Sequence, residues 1–146
     1  MKSNVVMAAI AGLVLGVIAE LFFAFTDRIP VLGCLTAPVA LLFGLGLPIL
    51  VGALAAAWGS RGVTAVLDGA LAALLAQFAS GLFGFCASLF VARSYFLGPR
   101  FWLPTVEPAA RALFTGVWAL GWFVIALGVA ALLGALGGFL YRMTRR

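Results

Sequence analysis

The stretch NVVMAAIAGLVLGVIAELFFAF, Asn4–Phe25, decides how the rest of the chain is read. It carries a single charge, Glu20, in 22 residues. At about 1.5 Å per residue, a helix of that length crosses a hydrocarbon core about 30 Å thick. Within it, GLVLGVIAE (Gly12–Glu20) sets two glycines four apart and then, four further on, a carboxylate. The stretch therefore raises a structural question and a chemical one.

Three further blocks of the same kind follow. The chain has 146 residues, of which 66% are hydrophobic and 9% charged, with a mean hydropathy of +1.26. Soluble domains run about 45–50% apolar and about 25% charged, and a water-soluble fold of this length cannot hide so much apolar surface. Lipid is the solvent the composition calls for. The fold expected is all-α: a polytopic integral membrane protein, one membrane domain over 1–146, built as a four-transmembrane-helix bundle. The helices are expected at about 4–25, 35–58, 66–92 and 109–141.

Punctuation sets these bounds. TDRIP brings Asp27 and Arg28, and Pro30 is expected to stop the first helix. Pro48 in GLGLPILVG predicts a kink in the second, and WGSRG makes a short turn. The connection at about 93–108, RSYFLGPRFWLPTVEP, mixes Arg93, Arg100 and Glu107 with Tyr95, Phe96, Phe101 and Trp102. Aromatic and basic residues together suit a segment at headgroup level. The last block is too long for a simple crossing; Trp118 and Trp122, one turn apart, are expected near the bilayer boundary, and tilt can absorb the excess. Trp58, Trp102, Trp118 and Trp122 are thus the expected interfacial anchors. The first block exceeds a signal peptide's usual apolar run of about 7–15 residues, so a retained first helix is expected.

Cations give orientation. With four spans, Lys2, Arg61, Arg142, Arg145 and Arg146 share one side, and Arg28, Arg93, Arg100 and Arg111 the other. Five against four is a weak bias, strengthened by three arginines at one end. Both termini are expected in the cytoplasm of a prokaryotic cell, with the bundle in its plasma membrane. The near balance leaves insertion in both orientations open. The net charge of +5 is dispersed between apolar runs, which fits topology and headgroup contacts and not nucleic acid. A faint echo links LVGALAAAW (50–58) to LLGALGGFL (132–140); if the halves are duplicated, they should run parallel.

Small residues recur every four positions: Ala8, Gly12, Gly16, Glu20 and Ala24 in the first helix, and Asp68, Ala72, Ala76, Ser80, Gly84 and Ser88 in the third. Gly44, Pro48, Gly52 and Ala56 mark the second helix, and Ala130, Gly134 and Gly138 the fourth. Hydrophobicity does not drive helices together in lipid, so close backbone approach must, and small side chains permit it. Gly12, Gly16, Gly52, Ala76, Ser80, Gly84, Gly134 and Gly138 are the expected packing residues, and large side chains are left to point outward.

Chemistry has little to work with. The absence of histidine removes the commonest general base, metal ligand and haem ligand. Cys34 and Cys86 show no metal spacing and read as small apolar packing residues; the topology permits a disulfide without requiring one. No metal or cofactor is expected, with bound lipid or a hydrophobic pigment the sole candidates. No nucleophile–base–orienter set can be assembled, so no enzyme is expected. Glu20 lies about 6–9 Å below the outer interface at the helical rise. Its candidate partners on that face are Arg93, Arg111 and Arg28, and three readings are open: it ties the first helix to the third or fourth, exchanges an ion, or meets another subunit. Asp68 suits the positive end of the third helix. Gln77, in mid-span, either bonds across helices or meets a ligand.

At GVIAELFFAF (16–25) the first helix resembles that of the small multidrug resistance exporters, which are also short four-helix chains with one glutamate in helix one. The resemblance implies a dimer in which Glu20 exchanges protons and cations. This chain is longer, its third connection is larger, and the family's substrate-binding aromatics find no match. The function expected first is therefore a structural or accessory subunit, packing against lipid and against itself or other membrane proteins in a complex. A small proton- or cation-coupled transporter is the alternative.

Overall fold

A computed structural model describes residues 2–26, 30–59, 63–91 and 108–144, with side chains described over 2–23, 36, 38–59, 63–83 and 116–144. Four helices fill these segments: α1 (Ser3–Thr26), α2 (Pro30–Ala57), α3 (Thr64–Val91) and α4 (Pro108–Thr144). The described chain is all-helical, and all four helices are long and apolar enough to cross a membrane. Each is apolar around its whole circumference, as a membrane span or a deeply buried helix is.

Pro30 opens α2 where it was expected to close α1, which ends at Thr26. A proline in the first helical turn forgoes an N–H that has no intrahelical acceptor anyway, and its fixed φ already suits the helix. Pro108 opens α4 in the same way. Pro38 and Pro48 lie inside α2, which is helical throughout, and Pro48 is buried. At the other end of α2, Gly59 has φ +139°, a conformation that lets the chain leave the helix and turn toward α3. α4 is one helix of 37 residues, about 55 Å long.

Contacts set the directions. Gly12 lies against Ala76 and Gly16 against Ser80, so α1 and α3 run parallel. Asn4 meets Ala55 while Gly16 meets Leu47, so α2 runs the opposite way. Gly138 meets Ala65 while Gly81 meets Phe123, so α4 also opposes α3. α2 and α3 pack on each other and each packs on both remaining helices, whereas α1 and α4 make no comparable contact among the described residues. In cross-section the helices form a rhombus with α2 and α3 on its short diagonal.

The interior is made of small side chains. Val5, Ala8, Val51, Ala55, Ala72, Ala73 and Ala76 form its cluster, and among the described residues Val5 and Val51 are the largest fully buried side chains. Large apolar groups face outward instead: Leu132 is 73% exposed, Leu42 69% and Trp118 58%. A water-soluble protein places such residues the other way round.

Candidate functional site

Glu20 was placed on the stripe of Ala8, Gly12 and Gly16. Those three are buried and Glu20 is exposed. Four residues advance a helix by a full turn plus about 40°, so over three such steps Glu20 has rotated about 120° from Ala8. The inward face continues toward Ala19 and Phe23, both half-buried. Glu20 makes no ion pair or hydrogen bond among the described residues. Arg28 and Arg93 lie outside the described residues, as do the side chain of Arg111, Arg61, and the expected interfacial loop with Trp102.

The glycines occupy two seams. A Cβ at Gly12 would stand 2.5 Å from Val51 Cγ2 and 2.9 Å from Ala76 Cβ, and one at Gly16 would stand 3.3 Å from Ser80 Cβ. Gly52, Gly69 and Gly134 converge from α2, α3 and α4. A Cβ on Gly52 would collide with the Gly134 carbonyl, and one on Gly69 would stand 2.5 Å from that oxygen. Gly138 abuts the Ala65 carbonyl and Gly137 the Ile49 carbonyl. Gly52 and Gly134 hold equivalent places in the two echoing stretches, and they touch. Gly69 and Gly137 fall off the four-residue stripes; a glycine adjacent to a stripe residue, after Asp68 in one case and before Gly138 in the other, was the signal for both. The surroundings of Gly84, Ser88, Cys34 and Cys86 within their helices lie outside the described residues.

One end of the bundle gathers polar groups. Lys2 Nζ lies 2.7 Å from Asp68 Oδ2 in an ion pair. Asp68 is buried, with its side chain 12% exposed against 53% for Lys2. Asn4 Nδ2 donates to the Ala55 carbonyl at 3.0 Å, tying α1 to the last turn of α2. Asp68 sits in the second turn of α3, and the lysine ammonium is its counter-charge where the helix dipole was expected to be. The shared face of Lys2 and the start of the third helix was the sequence signal for this pair. Arg142 and the exposed Trp58 lie at this end as well.

Other polar side chains are scattered. Ser80 Oγ donates back to the Gln77 carbonyl at 3.2 Å. Gln77 is half-buried, and its side chain has no hydrogen bond among the described residues. No group of three metal-ligating side chains occurs among the described residues. Toward the opposite end Trp118 and Trp122 are exposed and meet edge-to-face, ring centroids 5.9 Å apart.

Apolar grooves open between helices in that half. The one between α3 and α4 measures about 580 Å³ and is lined by Phe78, Gly81, Leu82, Gly116, Leu120 and Phe123. Those between α1 and α3 and between α1 and α2 measure about 570 and 420 Å³. Their walls offer almost no hydrogen-bonding groups, so they suit hydrocarbon and not a polar substrate. Compared with family models, curated proteins and solved structures, the chain matches none of them.

Proposed function

We propose that this chain is a non-enzymatic integral membrane protein, a structural or accessory subunit that packs against lipid and against itself or other membrane proteins. One observation carries the reading: four long apolar helices bury alanine and glycine and turn leucine, phenylalanine and tryptophan outward. In lipid, close packing of small residues holds helices together, and the outward side chains meet acyl chains or a partner. The Lys2–Asp68 end and the Trp118–Trp122 end then sit at the two interfaces. Trp122 and Arg142 are 20 residues apart on α4, about 30 Å at the helical rise, which suits one hydrocarbon thickness.

Purification in mild detergent tests this. A stoichiometric membrane complex, or a defined homo-oligomer without transport, is the expected outcome. The outward position of Glu20 supports a second reading, in which two copies bring their carboxylates together and exchange protons for cations. Under it, reconstituted vesicles show proton-coupled cation flux that Glu20→Gln abolishes. Under the first reading Glu20→Gln changes no flux, because there is none.

A further inference from the structure

We propose that Gln77 is the centre of a contact between two copies of this chain, in which the two side-chain amides hydrogen-bond each other inside the bilayer. The proposal rests on the reading of the protein as a membrane subunit that packs against itself. An amide side chain carries an oxygen that accepts and a nitrogen that donates twice. That of Gln77 is half-buried and has no hydrogen bond among the described residues. Ser80, one turn on, satisfies its hydroxyl by donating back to its own helix. Depth denies Gln77 the help of water. Gly81 abuts Phe123 across antiparallel helices, so Gln77, one turn earlier on α3, is level with Leu127 on α4. That is five residues inward from Trp122, about 7–8 Å at the helical rise and inside the hydrocarbon. A polar group unpaired at that depth is costly, because lipid chains offer it nothing.

A second copy answers this need by symmetry alone. A two-fold axis along the membrane normal keeps every residue at its own depth, so Gln77 meets Gln77, and a residue that both donates and accepts is its own complement. The surface beside it is open. Phe78, Leu82 and Leu120 are exposed, and the groove of about 580 Å³ between α3 and α4 begins one turn away at Gly81, with room for side chains of the second copy. The contact requires copies inserted in the same direction. The level of Leu127 lies five residues from Trp122 and fifteen from Arg142, so opposed copies would hold their amides about 15 Å apart in depth.

The test is self-association of the full chain in lipid. Ser3→Cys, at an exposed position, carries a donor or an acceptor dye in a background with Cys34 and Cys86 replaced by alanine. Chains of both kinds are reconstituted together in phosphatidylcholine vesicles over a range of protein-to-lipid ratios. Energy transfer is expected to follow a monomer–dimer equilibrium. Gln77→Leu, which removes the amide and keeps the bulk, is expected to weaken association about tenfold. Gln77→Ala is expected to lose as much, and Gln77→Asn, a shorter amide, to recover part of the loss. Because the amide has no partner within its own protomer, Gln77→Leu is expected to melt no lower than the parent in dilute detergent. A parent that shows chance-level transfer at every ratio overturns the proposal, as does Gln77→Leu associating like the parent. A lower melting temperature for Gln77→Leu in dilute detergent overturns it too, by giving Gln77 a role inside its own bundle. A complex holding one copy of this chain beside a different membrane protein, with no homodimer, overturns the contact and leaves the accessory reading standing. A Gln77-dependent dimer with Glu20-dependent cation flux does the reverse.

Discussion

Glycine is needed at Gly52 because the atom that would meet its Cβ is a backbone carbonyl, that of Gly134, which cannot swing aside. At Gly81 the neighbour is the Phe123 ring, which can rotate away, and at Gly121 nothing lies within 4 Å. Alanine substitutions should therefore grade in that order. Gly52→Ala should destabilise by about 1–3 kcal/mol or more, the range for overpacking a close contact. Gly81→Ala should cost less, and Gly121→Ala nothing measurable. Thermal melting of the detergent-solubilised variants checks the order, and equal melting of Gly52→Ala and Gly121→Ala would refute it. A four-residue stripe points toward Gly12, Gly16, Gly52 and Gly134, but it also includes Glu20 and omits Gly69. The reason is geometric: four residues overshoot a turn, so any stripe drifts off the seam within a few steps. Which residue closes the seam depends on where the partner helix crosses.

α1 and α4 illustrate how far an element can be read alone. Both are recognisable by length and apolarity, and the last turn of α4 by Arg142. The start of α2 was less legible, because Pro30 is equally compatible with ending one helix and opening the next; the fold uses it to open one. At 37 residues, α4 is longer than a crossing requires. Trp118 and Trp122 are the side chains that would set its depth, since indole prefers the headgroup level. A variant retaining only Trp122 should be quenched most strongly by lipids brominated near the headgroup. Maximal quenching by lipids brominated near the acyl terminus would place α4 differently and move its span toward Pro108.

The molecule as a whole has a close-packed half and a grooved half. Glycine carbonyl contacts and the Lys2–Asp68 pair lie in the first, and the apolar grooves in the second. With its large apolar residues outward, the protein should remain in the membrane pellet through alkaline carbonate washing; release into the supernatant would contradict the membrane reading. The sequence by itself determined the class of object: how many apolar blocks there are, their length, and the small residues available to bring them together. It determined these because each depends on composition within a block. Only the tertiary structure decided which face of each helix turns inward, that Glu20 leaves the seam, that Lys2 finds Asp68, and that Gly52, Gly69 and Gly134 meet. Helices that are apolar on every side carry no contrast between inside and outside. Their inward face is chosen by how closely two backbones can approach, and that is a property of the pair and not of either sequence segment.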